Sequence, residues 1–295
     1  MAASANLKEL VDAMPSPSKR AERTTPPERG RPREREGILS DADKAAMDKA
    51  LAEIHAGGRD NVVALVGMLV PEDPPADSKV RHALHALATK VNGMKGEDRK
   101  AFAEALASTL GGERPKEVQQ FIIRQLQLCG GKEVAPALGK LLSGDEALAA
   151  DATTALLAIR EGAAEPFRAA LPKSSGRTRV GVINALGLLK DADSAAPLRE
   201  AVKSSQRDER EAALWALASI GDAGSADLLL KTADAAEGFD RTAATNACLL
   251  LAESLSAAGK KAEARRIYSH LWERPSNVPE DHVKQAAQTG MRAAS

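Results

Sequence analysis

Apolar residues recur along the chain with the spacing of amphipathic helices, and the clearest example is the segment from Asp208 to Asp222. One face of the helix predicted there is apolar and carries Ala213, Leu214, Leu217 and Ile220. Glu211 and Trp215 fall on the other side, and Gly221 ends the helix. The segment therefore predicts a half-buried helix whose free side carries a tryptophan.

This pattern repeats at a nearly constant interval along most of the chain. Shifts of 31 residues in both directions, and of 30 residues further upstream, give similar helices, which begin at Thr178, Asp240, Leu148 and Val118. A sixth helix, VRHALHALA, is set off by a longer interval of 39 residues between Leu87 and Leu126. Helices in one register at such an interval predict an array of structural repeats.

A second set of apolar segments lies between these helices and supplies a partner for them. The partner segments begin at Lys132, Asp193 and Gly224. A helix pair of this kind cannot bury its apolar stripe alone, so neighbouring pairs must stack. We therefore predict an all-α fold, an α-solenoid (superhelix) of about six to seven stacked helix pairs.

The repeat units resemble HEAT repeats, including the short variety found in phycobilin-lyase-like proteins. The resemblance rests on an arginine near the start of the second helix and a proline in the first, at Arg179, Arg210, Arg241, Pro136, Pro166 and Pro197. It covers roughly Ala45 to Ala294 and implies that the second helices line a concave surface. Near the C-terminus, a short similarity to a tetratricopeptide hairpin is found in ESLSAAGKKAEARRIYSHLWERP.

The recurring arginines allow two interpretations. They form either a stripe that tracks phosphate groups or hydrogen bonds between repeats, with Asp191 and Asp222 at the preceding helix ends as partners. The period places these charges repeat against repeat, which favours the structural role.

Residues 1–39 are predicted to form a disordered tail, because the stretch from Pro15 to Gly37 contains five prolines and no large apolar residue. Within this tail, residues 6–14 have helical spacing of apolar side chains, at Leu7, Leu10, Val11 and Met14. Such a short helix either docks on the first repeat or recognises a partner's groove. Residues 40–294 form the predicted repeat domain, with capping helices from about 255.

The register also places residues on the free face of the second helices, opposite the core. One column of this face runs through Thr154 and through the candidate partner-binding residues His85, Arg124, Asn184, Trp215 and Asn246. A neighbouring column contains Ala150, Val180 and Thr242 and the further candidates Arg81, Gln120 and Glu211. An exposed tryptophan among amides and arginines is typical of a groove that binds a peptide. In the alternative, Trp215 packs between adjacent repeats and the column is ordinary surface.

Composition narrows the function classes. Hydrophobic residues make up 43% of the chain but aromatic residues only 2%, which favours a core of leucine, alanine and valine between close helices. The 41 basic and 41 acidic residues balance, which disfavours bulk electrostatic binding of nucleic acid. We expect a cytoplasmic protein, because Cys129 and Cys248 are isolated thiols and the sequence shows neither a membrane span nor a signal-peptide core.

Candidate chemistry is sparse. His82 and His85 are three residues apart on one helix, but further ligands for a metal are missing from the sequence around them. No P-loop, GxGxxG, GxSxG or HExxH motif is present. We therefore predict no cofactor and no metal, and a non-catalytic scaffold that binds a protein or peptide partner. Two alternatives remain: a HEAT-like lyase or isomerase that acts on bilins or other small ligands, and a nucleic-acid-binding HEAT-like protein.

Overall fold

A computed structural model describes residues 6–15, 41–71, 76–94, 96–275 and 280–294, and every regular element in these ranges is helical. The sixteen α-helices of these ranges, α1 to α16 in chain order, are Leu7–Ala13, Asp41–Ala56, Gly58–Gly67, Ser78–Asn92, Glu97–Ala107, Lys116–Cys129, Ala135–Gly139, Glu146–Ile159, Ala164–Ala170, Gly176–Leu188, Ala195–Ala201, Arg207–Ile220, Ala226–Ala235, Gly238–Ala257, Lys261–Glu273 and Asp281–Ala293. Short 3-10 turns adjoin α7, α9, α11 and α13. The predicted all-α solenoid class is confirmed.

The chain divides into two compact units, Met1–Leu138 and Gly139–Ser295. In each unit the even-numbered helices stack on one another. In the first unit α4 packs against α6, and in the second unit α10 packs against α8 and α12, and α12 against α14. Even helices also pack against the odd helix before them, as α6 does with α5 in the first unit and α14 with α13 in the second. We call the stacked even-numbered helices of a unit its even-helix layer.

Aliphatic side chains from α2 to α6 build the core of the first unit. Fully buried in this core are Ile54, Leu65, Leu84, Leu106 and Ile122. The short N-terminal helix α1 packs against α2 and α4 and buries Leu7, Val11 and Met14. Of the two interpretations of residues 6–14, the structure shows the docked one. Residues 1–5 and 16–39 of the predicted tail lie outside the described residues.

Leucine and alanine fill the core of the second unit, as the composition predicts. In α12, Ala213 and Leu217 are completely buried and Leu214 is nearly so. Ile220, in the last position of the helix, is only half-buried. The predicted apolar face of this helix is therefore correct except at its last residue.

The odd helices α11 and α13 begin two residues later than the sequence pattern predicts. The segment predicted to begin at Asp193 starts as a 3-10 turn, Ala192–Ser194, and is α-helical over Ala195–Ala201. The turn before α13 is built in the same way. In both turns a serine hydroxyl donates to the preceding aspartate, Ser194 to Asp191 and Ser225 to Asp222. This hydrogen bond holds the last residue of each 3-10 turn against the aspartate that precedes the turn.

Arginine–carboxylate pairs join successive repeats of the second unit, but their partners differ from the prediction. Arg179 Nε donates to Glu209 Oε1 at 2.6 Å, and Arg210 Nη2 donates to Asp240 Oδ2 at 3.1 Å. The aspartates predicted as partners pair instead with arginines of odd helices, Asp191 with Arg168 and Asp222 with Arg199. The prediction was wrong because an arginine in the first turn of an even helix reaches the start of the next even helix, 30 residues later.

The C-terminal helices close the second unit. Helix α14 continues to Ala257, and α15 and α16 pack against it and against each other. Gly290 of α16 lies against the ring of Tyr268 in α15, since a β-carbon at position 290 would stand 2.3 Å from the ring carbon Cζ. The close approach of these two helices therefore requires glycine at this position.

Candidate functional site

The first-unit members of the predicted columns lie on the stacked helices α4 and α6. His85 and Arg124 are exposed, whereas Arg81 and Gln120 are half-buried. His85 Nδ1 lies 3.0 Å from the side-chain oxygen Oε1 of Gln125, so the ring is tied to the neighbouring helix. These four residues therefore lie on two adjacent helices of the first unit, two of them exposed and two half-buried.

Arg81 is held in place by its own helix and by α6. Its Nε donates to Asp77 Oδ1 at 2.6 Å, and its guanidinium lies 5.0 Å from the centre of the Phe121 ring. Arg124 Nε donates to the backbone oxygen of Gln120 at 3.2 Å and keeps an exposed guanidinium. Of the two arginines, Arg124 is therefore the one available to a partner.

The second-unit members lie on α10, α12 and α14. Trp215 and Asn246 are exposed, and Asn184 and Glu211 are half-buried. Glu211 Oε1 accepts a hydrogen bond from Arg207 Nε at 2.7 Å. Because α12 packs against both α10 and α14, these side chains belong to one continuous face of the even-helix layer. We call this side of the layer, which carries Asn184, Trp215 and Asn246, the even-helix face.

Trp215 packs between two repeats and is also partly exposed to solvent. Its indole covers Gly187 of α10, since a β-carbon at position 187 would stand 2.7 Å from Trp215 Cζ3. The side chain nevertheless remains 36% exposed. One part of the ring packs between repeats while another part faces solvent on the even-helix face.

Two further apolar residues on this face escaped the sequence analysis. Leu188 of α10 is 49% exposed, and Phe239 in the first turn of α14 is 80% exposed. The sequence does indicate that position 239 is exposed, because the repeat register aligns Phe239 with the charged residues Arg177 and Asp208. A phenylalanine where the equivalent positions are charged marks a local change of surface chemistry.

An open cleft of about 780 Å³ lies beside Phe239, between α14 and the start of α16. Its walls include Asn246, Arg241 and Glu280. The guanidinium of Arg207, on α12, lies 5.8 Å from the centre of the Phe239 ring. The cleft therefore combines an exposed aromatic ring with amide and charged groups, which suits a peptide better than a purely apolar ligand.

A paired charge cluster forms the wall of this cleft. Arg241 Nε donates to Glu280 Oε1 at 2.8 Å, and Arg274 Nη2 donates to both Glu280 oxygens at 3.0 Å. Arg274 is buried and also donates to Thr245 Oγ1 at 2.9 Å. The hydrogen bond from Arg241 and the charges of both arginines lower the pKa of Glu280 to about 2. The cluster is therefore ionised and fixed at neutral pH.

Histidine and cysteine side chains of the described ranges form no candidate centre for a metal ion. His82 Nε2 lies 3.3 Å from Met47 Sδ, and no group of ligating side chains in the described residues suits a metal ion. Cys129 and Cys248 are free, and burial raises the pKa of each thiol to about 12. Within the same residues, no helix combines the length and apolarity that crossing a membrane requires.

Comparison with known proteins supports the repeat assignment. Residues 164–248, which include α9 to α13 and the first half of α14, match the HEAT repeats family. This confirms the resemblance found in the sequence for that part of the chain. No curated protein matches the chain in sequence.

Solved structures with a similar arrangement of helices include two engineered proteins of the Northeast Structural Genomics Consortium. The first is 21% identical, with a TM-score of 0.42, over 87% of this chain and 75% of that chain. The second is 20% identical, with a TM-score of 0.30, over 79% of this chain and 96% of that chain. The complex of CpcE and CpcF of phycocyanin lyase from Nostoc sp. PCC7120 is 16% identical, with a TM-score of 0.39, over 92% of this chain and 100% of that chain.

Proposed function

We propose that the chain is a non-catalytic interaction scaffold that binds a peptide segment of a partner protein along the even-helix face of its second unit. The observation that supports this most directly is a row of exposed apolar side chains on three successive even helices, Leu188 on α10, Trp215 on α12 and Phe239 on α14. Large apolar residues at the surface of a protein mark interaction sites when they recur on one face.

The aromatic members of this row have the chemistry of binding anchors. Tryptophan is enriched among the residues that carry most of the energy of protein interfaces. Phe239 exposes 80% of its surface in a chain with only 2% aromatic residues. Trp215 is held against Gly187, so little side-chain entropy is lost when a partner covers it.

Polar neighbours give the same face its selectivity. Asn184 and Asn246 offer amide donors and acceptors on either side of Trp215 along the layer. Glu211, paired with Arg207, adds a charge between the apolar anchors. We include His85, Arg124, Arg81 and Gln120 as a polar binding surface of the first unit, proposed from the same register.

The test uses peptides selected from a random library on the immobilised full-length chain. We expect the selected peptides to carry apolar side chains and to bind Phe239→Ala and Trp215→Ala at least about tenfold more weakly than the wild type. Trp272→Ala is the matched control, because Trp272 is 39% exposed but lies on the odd helix α15. Peptides that bind all three variants as well as the wild type would overturn the proposal.

A further inference from the structure

The N-terminal helix α1 covers an apolar groove of the first unit. Its buried side chains, Leu7, Val11 and Met14, are spaced at i, i+4 and i+7 and are each at most 5% exposed. They pack against α2 and α4. Lys8, Glu9 and Asp12 lie on the opposite side in solvent. This is the geometry of an amphipathic helix lying in a hydrophobic groove.

The groove also recognises the end of the bound helix. Lys79 Nζ, at the start of α4, donates to the backbone oxygen of Asp12 at 2.5 Å, in the last turn of α1. Carbonyl groups of the last turn have no partner within a helix and carry its partial negative charge. Because the acceptor is a backbone atom, Lys79 can fix the direction of any helix of suitable length, whatever its polar residues.

Helix α1 owes its structure to this contact. It has seven residues, and its N-terminal residue Asn6 makes no side-chain capping bond. A helix of two turns is unstable in water without tertiary packing. It is joined to α2 through residues 15–40, so it reaches the groove as a covalently attached segment of the same chain.

We infer that the groove between α2 and α4 is a receptor for an amphipathic helix of a partner, and that α1 occupies it as a competing internal ligand. The matching partner helix carries large apolar residues at i, i+4 and i+7 and ends next to the third of them, beside Lys79. This surface belongs to the first unit, whereas the proposed peptide site belongs to the second.

The experiment uses a fluorescein-labelled peptide of residues 5–15 and the full-length chain. Val11→Asp places a charge on the buried face of α1 and releases it from the groove. We expect this variant to bind the peptide saturably and at least about tenfold more tightly than the wild type, whose tethered α1 competes. Lys8→Asp, which introduces the same residue on the exposed face, should behave like the wild type.

Further variants make the result specific to the groove. Adding Lys79→Ala to the Val11→Asp chain should weaken peptide binding several-fold, and a peptide that itself carries Val11→Asp should not bind. Leu7→Ala weakens the docking of α1 without a buried charge, and it gives the same comparison if the aspartate disturbs α2 or α4. Equal peptide affinity for the wild type and for both released variants, or no affinity for any of them, would overturn the inference.

Discussion

Trp215 of α12 lies over Gly187 of α10 at a distance that leaves no room for a side chain. A β-carbon at position 187 would stand 2.7 Å from Trp215 Cζ3 and 2.8 Å from the Cα atom of Ala216. The ring could rotate, but the Cα atom moves only if the whole of α12 moves. Gly187 therefore sets the separation of two stacked even helices and the position of the exposed tryptophan between them.

Gly187→Ala should destabilise the protein although alanine is the better helix former. The helix preference favours alanine by about 1 kcal/mol, and overpacking a tight contact costs about 1–3 kcal/mol. We expect a net loss of up to about 2 kcal/mol in the free energy of unfolding, measured by urea denaturation. Tryptophan fluorescence should also shift, because the indole of Trp215 must leave its present position.

Gly181 is the matched control, because it lies in the same helix and a β-carbon at this position would meet nothing within 4 Å outside the backbone of that helix. Gly181→Ala should raise the free energy of unfolding by up to about 1 kcal/mol, through helix preference alone. Equal effects of the two substitutions would show that the contact between α10 and α12 does not determine the stability at position 187.

The pair Arg179–Glu209 links two repeats and should matter more than surface ion pairs. The side chains of Arg179 and Glu209 are 24% and 13% exposed, and Arg179 also donates to the backbone oxygen of Leu171. Arg179→Ala leaves a half-buried carboxylate and a carbonyl without this donor, so we expect a loss of about 1–3 kcal/mol in unfolding free energy.

The control for this prediction is the exposed pair between Lys203 and Glu200, at 2.8 Å. Lys203→Ala should change the free energy of unfolding little, because solvent screens such pairs. A double-mutant cycle with Glu209→Gln would isolate the coupling between Arg179 and Glu209. Additive effects of the two substitutions would contradict a direct link between the repeats.

The sequence predicted the even helices well, because their apolar spacing and the interval of the repeats carry the same information. It placed Trp215 outward for this reason. Ion-pair partners were not predictable in the same way, since the choice between Asp191 and Glu209 depends on how far one repeat is rotated against the next. Phe239 was overlooked although the register aligns it with the exposed charged residues Arg177 and Asp208, because the two columns that were followed along the repeats do not pass through this position.

Positions 190 and 221 are equivalent in consecutive repeats and have the same unusual backbone. Gly221 ends α12 in the left-handed conformation with φ 77°, and Lys190 follows α10 with φ 54°. In both repeats the next amide donates back into the helix, Asp191 to the oxygen of Leu186 and Asp222 to that of Leu217. The sequence marks this helix end with glycine in only one of the two repeats.

Lys190→Gly should therefore stabilise the protein and Gly221→Ala should destabilise it. Left-handed backbone costs a residue with a β-carbon about 1–2 kcal/mol, part of which is offset by the greater freedom of glycine in the unfolded chain. We expect a gain of about 0.5–1 kcal/mol for Lys190→Gly and a loss of about 1 kcal/mol for Gly221→Ala, measured by thermal unfolding. Lys190→Ala should be close to neutral, which separates the backbone effect from the loss of the lysine charge.

Glu280 should make the stability of the second unit depend on acid pH. Its pKa is lowered from 4.5 to about 2 by Arg241 and Arg274. A carboxyl group whose pKa is lower in the folded state contributes stability above the unfolded value, and that contribution is lost as the pH falls. We expect the free energy of unfolding of the wild type to fall between about pH 4.5 and pH 2. Glu280→Gln should be less stable than the wild type at neutral pH, and its free energy of unfolding should depend less on pH over this window.

Glu263→Gln, on the exposed side of α15, is the control and should keep the wild-type profile. A Glu280→Gln profile parallel to the wild-type one would show that the two arginines do not hold this carboxylate in its charged form.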